Sequence, residues 1–157
     1  MKELEYPFDA AYIIKKRKSL KKALLADGTS RIRKKIAVFG GSTTSDIVKT
    51  LELFLLDAGI EPEFYESEYA QYFQDAMFPD ETLLSFKPDI VFIHTTNRNV
   101  TNWPEMTDTT EQIDEKLHTE INRFTAMWKS IAEKFHCPII QNNFEMPLYR
   151  LLGSRDA

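Results

Sequence analysis

The chain has 157 residues, 43% hydrophobic and 28% charged, with a formal net charge of −4 at pH 7. That is one domain's worth, enough for a real core. No apolar run approaches the roughly 18 residues of a membrane span, the N-terminus has no apolar signal-peptide core, and the single Cys137 excludes an internal disulfide. A cytoplasmic protein without membrane association is the expectation.

Charge is unevenly spread along the chain. Residues 1–35 hold eleven Lys or Arg against four Asp or Glu, and the remainder holds nine against twenty. Lys15–Lys18, Lys21, Lys22 and Arg31–Lys35 could form a patch for nucleic acid or anionic lipid. However, Ala11, Ile13, Ile14, Leu20, Ala23, Leu24 and Leu25 give the same segment an apolar face. The lysines are then its solvated side, no nucleic-acid role is expected, and residues 1–34 form a basic helix packed on an α/β domain of residues 35–157. Tyr12, Ile13, Leu20 and Leu24 have the spacing for that packing. The basic helix could also hold an acidic partner, such as a carrier protein.

Ile36–Phe39 is a short apolar run bounded by Lys35 and Gly40, the pattern of a parallel strand covered on both faces. Gly40 and Gly41 allow a sharp turn and leave room for a ligand. Ser42, Thr43, Thr44 and Ser45 supply capping oxygens for a helix over Asp46–Ala58, which stops at Gly59. Glu61–Glu66 is a second strand, and Tyr69–Met77 a short helix or turn. Pro88–Thr95 is a third strand, apolar at its centre. Residues 96–109 are a polar loop of the kind that often carries function. Thr110–Phe135 is a long helix, with Ile113, Leu117, Ile121, Phe124, Trp128 and Ile131 at spacings of three and four, capped by Asp108, Thr109 or Thr110. Cys137–Gln141 is a fourth strand, with Cys137 a buried small residue. Strands separated by helices imply a parallel sheet with right-handed crossovers, here in order 2-1-3-4 with the first strand central. The fold class is a three-layer α/β/α sandwich with a parallel sheet of four or five strands. The chain could lack its last strand and helix.

Polar residues collect at the carboxyl ends of these strands, where open parallel sheets bind ligands. The first strand delivers Gly40, Gly41, Ser42, Thr43 and Thr44. The second delivers Glu66 and Tyr69, and the third His94, Thr95, Asn97, Arg98 and Asn99. The fourth delivers Gln141, Asn142 and Asn143, with Arg150 beyond. This suggests a polar cleft for a small polar or anionic ligand, the anion being favoured by Arg98 and the positive end of the helix dipole. Ser42, His94, Asn97, Arg98 and Asn143 are expected to converge there. Ser42 reads as a ligand contact, a helix cap, or a nucleophile with His94 as its base. No metal or cofactor is expected. His94, His118 and His136 lie at no ligand spacing, and Gly40–Thr44 is neither a Walker A loop nor a dinucleotide fingerprint.

The segments Gly40–Thr44, Phe64–Tyr72, Pro88–Asn99 and Gln141–Arg150, in this order, resemble the N-terminal module of FkbH-like proteins. These belong to the haloacid dehalogenase superfamily and carry an extra domain in front. The resemblance spans about residues 1–153 and implies an SGNH-hydrolase-like or flavodoxin-type front module. It also implies a C-terminal phosphatase-like domain that handles a phosphorylated three-carbon unit, in some members loading glyceryl onto an acyl carrier protein, with relatives in surface-polysaccharide biosynthesis. The departures matter. Haloacid dehalogenase chemistry needs an Asp-x-Asp pair, and none occurs here. Ser42 matches the SGNH serine, but Gly41 replaces the usual Asp, and no His follows His136 to complete a triad. Two expectations follow. One is a module that binds a polar ligand or carrier while chemistry sits in a partner or further domain. The other is a small SGNH-type esterase using Ser42.

Overall fold

A computed structural model describes residues 1–145. Arg150, expected at the cleft, lies outside the described residues. The described chain is an α/β fold built on one four-stranded, all-parallel sheet. The strands are β1 (Ile32–Gly40), β2 (Ile60–Glu66), β3 (Ile90–His94) and β4 (Ile139–Gln141), in order β2-β1-β3-β4. The helices are α1 (Ala10–Ala26), α2 (Ser45–Asp57), α3 (Tyr72–Met77), α4 (Glu81–Phe86) and α5 (Thr110–Phe135).

The order and central place of β1 follow from its composition. Ile36–Gly40 is buried throughout, so neighbours are needed on both edges and helices on both faces. Gly40 lies opposite His94 in the β1–β3 register, so both strands end on one edge. Ala37, Phe39, Val91 and Ile93 face α3, α4 and α5, meeting Tyr72, Ala76, Leu83, Phe124, Met127 and Ile131. Ile36 and Val38 face the other way, towards Val48 of α2. Helices on both faces complete the three layers.

Local signals stop and start these helices. Gly59, at φ +82°, takes the left-handed turn after α2 that a β-carbon would penalise. Thr109 caps α5, accepting from Gln112 N while the Gln112 side chain accepts from Thr109 N, a reciprocal box. The helix α4 has its own signal, Asp80, whose carboxylate accepts from Leu83 N at 2.7 Å. No helix had been expected there.

Two expected apolar faces are narrower in the structure. In α1, Ile13, Leu20 and Leu24 are buried with Leu4, Leu53 and Leu56, whereas Tyr12, Ile14 and Leu25 are exposed. The helix lies on α2 and a single row of side chains fills that seam. Arg17 reaches Asp46 at 2.8 Å and Lys21 reaches Glu52 at 2.7 Å across it, so part of the basic stripe answers acids of α2. In α5 only Phe124 and Ile131 of the expected stripe are buried, joined by Glu120, Met127 and Ser130. Ile113, Leu117, Ile121 and Trp128 stay exposed. Four strands give α5 a platform narrower than its apolar arc. Cys137 is half-buried beside the β1–β3 core, and burial pushes its thiol pKa up.

The α1–α2 seam can be tested with adjacent residues. Ile13→Val is expected to cost about 0.5–1.5 kcal/mol, and Ile14→Val to stay within about 0.5 kcal/mol of the parent. Chemical denaturation of both variants measures the difference; equal stabilities would show that α1 does not hold this position.

Candidate functional site

The glycine turn after β1 is built differently from its expected role. Gly41 N donates to His94 O at 2.8 Å, tying the turn to β3. A β-carbon on Gly41 would lie 2.4 Å from Asn99 Oδ1, and one on Gly40 would lie 2.7 Å from Thr44 Cγ2. The room left by the two glycines is thus taken by the protein's own side chains. Asn99 uses all of it: Nδ2 donates to Gly41 O at 3.0 Å and Oδ1 accepts from Thr96 N at 2.8 Å.

The caps differ too. Thr44 is the N-cap of α2 but makes no side-chain capping bond. Its buried hydroxyl donates to Glu66 Oε2 at 3.2 Å. The first N–H groups of α2 therefore lack a side-chain acceptor from the cap. Competing carboxylates surround this region. Asp46 lies in the first turn of α2, where Arg17 hydrogen-bonds it and lowers its pKa. Glu66 holds Thr44, and Glu145 Oε2 accepts from Asn97 N at 3.2 Å.

At the β3 and β4 ends, several expected ligand contacts are engaged with one another. Thr95 is fully buried. Its N–H donates to Asn142 Oδ1 at 2.9 Å, its hydroxyl accepts from Gln141 Nε2 at 3.0 Å, and its carbonyl accepts from Asn142 Nδ2 at 2.8 Å. Gln141 Oε1 accepts from Trp128 Nε1 at 2.6 Å. These groups lock β3 to β4 and α5.

Few of the expected groups remain open. Ser42 Oγ lies 3.5 Å from His94 Nδ1. Thr43, Arg98 and Asn143 are exposed, and the Arg98 side chain has no ion-pair partner among the described residues. Tyr69 is exposed as well. Of the five residues expected to converge, Ser42 and His94 meet directly. Surface cavities are lined by Lys18, Lys21 and Lys22, by Asn102, Asp108 and Lys116, and by Ile14, Asp46 and Phe54. None of these three includes Ser42 or His94.

One buried pair had no place in the sequence expectation. Glu120 and Arg123, one turn apart on α5, pair by a short hydrogen bond. Arg123 also donates to Asn99 O at 2.6 Å and Tyr72 Oη at 3.0 Å, and its guanidinium lies over the Phe73 and Phe124 rings. Glu120 accepts from the Thr101 hydroxyl and Asn102 Nδ2. Burial alone would raise the Glu120 carboxyl; bonds donated by Arg123, Asn102 and Thr101 outweigh it and set its pKa at about 2. The signal was present, since 120 and 123 fall on the row with Phe124 and Met127. Beyond β2, Ser67 Oγ and Asp75 Oδ2 are buried without a partner among the described residues. Burial, then the nearby Asp75 charge, pushes the Tyr65 hydroxyl up to about 12.

Among the described residues no cluster of three His, Cys, Asp or Glu side chains could hold a metal ion, and no helix is long and apolar enough to cross a membrane. Ser42 Oγ and His94 Nδ1 approach each other, and among the described residues no third group hydrogen-bonds the imidazole to orient it as a triad requires. Of the N–H groups beside Ser42, Gly41 N and Asn99 Nδ2 are engaged within the protein.

No family model matches the sequence, and no curated protein does. In structure the chain is similar to the N-terminal part of a Bacteroides fragilis protein containing a phosphatase domain, solved complexed with magnesium. The TM-score is 0.67 at 19% identity, over 88% of this chain and 35% of that one. This chain thus spans about a third of the length of that structure. Ornithine transcarbamoylase from Giardia lamblia aligns over 87% of this chain and 33% of its own at 14% identity, with a TM-score of 0.36, too distant to carry an argument. The first similarity shows the fold alone, an α/β module.

Proposed function

We propose that this chain is the recognition module of an FkbH-like, haloacid dehalogenase-associated biosynthetic protein. A basic N-terminal helix (1–34) supports an α/β domain (35–157), and the chemistry sits in another domain or a partner. The observation that carries this reading is the state of the Ser42–His94 edge. It offers open hydroxyl, imidazole, amide and guanidinium groups, yet lacks an acid that orients His94 among the described residues. The fold likeness to about a third of a structure that contains a phosphatase domain supports it, as does the absence of Asp-x-Asp. The ligand would be a small polar group, such as a hydroxyl-bearing acyl or sugar unit on a carrier. The carboxylates of Glu66 at Thr44 and Glu145 at Asn97 favour a neutral or singly charged one over a phosphate.

The Ser42–His94 approach of 3.5 Å favours a second reading, a small esterase, because such contacts tighten when substrate binds. One experiment separates the two. With a model aryl ester and a titrated glyceryl thioester, the recognition module shows no appreciable turnover. It binds the thioester, Arg98→Ala weakens binding roughly tenfold, and Ser42→Ala changes it little. Turnover that falls by orders of magnitude in Ser42→Ala would overturn the proposal and establish the esterase.

A further inference from the structure

The helix α5 carries a second apolar row that the described domain does not cover. Leu117 is 54% exposed, Ile121 51% and Trp128 41%, with Ile113 in line. The sheet stops beside this row. β4 is three residues long and pairs only with β3 among the described strands, and Ile140 on it is 54% exposed. Trp128 donates to Gln141 of β4, so helix row and open strand edge form one continuous surface. An open edge beside an apolar helix flank invites a further chain.

We propose that a second copy of this chain covers this surface, about a two-fold axis perpendicular to the sheet at the β4 edge. That axis sets β4 antiparallel to its mate and keeps both copies of α5 on one face of a continuous sheet, also antiparallel. The charge pattern of α5 fits this arrangement. The amino-terminal half of the exposed flank carries Glu111 and Asp114, each within two residues of Ile113; the carboxyl-terminal half carries Lys129, next to Trp128. Asp114 and Lys129 are exposed and make no ion pair among the described residues. With the helices antiparallel about Ile121, position 113 lies opposite position 129 of the other copy and position 114 opposite 128. Asp114 then lies one residue out of register with Lys129 of the second copy, within reach of that long side chain, and the pair occurs twice. A parallel pairing would set like charges together. The surface is complementary to itself, which a partner of unrelated chemistry does not require.

Sedimentation equilibrium of the full chain over a concentration series tests this. The expected result is a reversible monomer–dimer equilibrium. Ile121→Glu makes the chain monomeric with an unchanged circular dichroism spectrum, since that side chain is half exposed in one copy. Asp114→Lys weakens association roughly two- to thirtyfold, two exposed pairs being lost, and Asp114→Lys with Lys129→Asp restores it. A chain that stays monomeric throughout overturns the proposal and leaves the face to another occupant. A dimer indifferent to Ile121→Glu, or a charge swap that fails to restore association, overturns it equally.

Discussion

Arg123→Ala is expected to destabilise the fold by about 3–5 kcal/mol, the range for removing one partner of a buried pair. Three losses act together. Glu120 is left buried without its cation, Asn99 O and the Tyr72 hydroxyl lose their donor, and the guanidinium leaves the Phe73 and Phe124 rings. For a chain of this size each kcal/mol lowers the melting temperature by about 2–4 °C. Arg123→Lys should recover little, because an ammonium cannot serve several acceptors from one plane. Thermal melts of both variants check this, and a loss below about 1 kcal/mol for Arg123→Ala would show that the network is ornamental.

The same pair predicts the acid response. Glu120 has a folded pKa of about 2 against an ordinary 4.5. A depressed carboxylate stabilises the fold fully above its unfolded pKa and loses that contribution as pH falls through the folded one. The Glu120 contribution is therefore intact above about pH 5 and disappears on the way to about pH 2. Glu120→Gln should show a flatter acid limb than the parent in urea melts across that range.

How much was legible beforehand differs between the sheet and the cleft. Ile36–Phe39 and Ile90–Ile93 read as central strands because burial on both faces leaves no polar alternation, and their order follows from helical crossovers. The ends of α2 and α5 were marked by Gly59 and Thr109. The cleft was legible only as a list of residues on one edge. Sequence spacing places Thr44, Thr95, Asn99, Gln141 and Asn142 at strand ends, but whether a side chain faces a ligand or a neighbour depends on contacts 22 to 58 residues away. The α5 stripe was misjudged for a related reason. Periodicity marks every apolar position on an arc, while the width of the sheet decides how much of the arc is covered.

Gly41→Ala is expected to be as damaging as the loss of Arg123, although it adds one methyl group. That methyl would lie 2.4 Å from Asn99 Oδ1 and 2.6 Å from Nδ2, so the Asn99 side chain must leave. Its departure frees Gly41 O and Thr96 N, two part-buried backbone groups, at about 1–3 kcal/mol each. The loss therefore belongs to Asn99, and a double-mutant cycle isolates it. Asn99→Ala alone should cost about as much as Gly41→Ala, and the double variant no more than either, because the added methyl fits once the amide is gone. Additive losses would refute the clash and point to strain within the turn. The cycle also reaches function. Asn99 joins the turn that carries Ser42 to the one that carries Asn97 and Arg98, so ligand affinity should fall in both single variants to the same extent. A drop confined to Gly41→Ala would mean that the glycine, not the Asn99 clamp, faces the ligand.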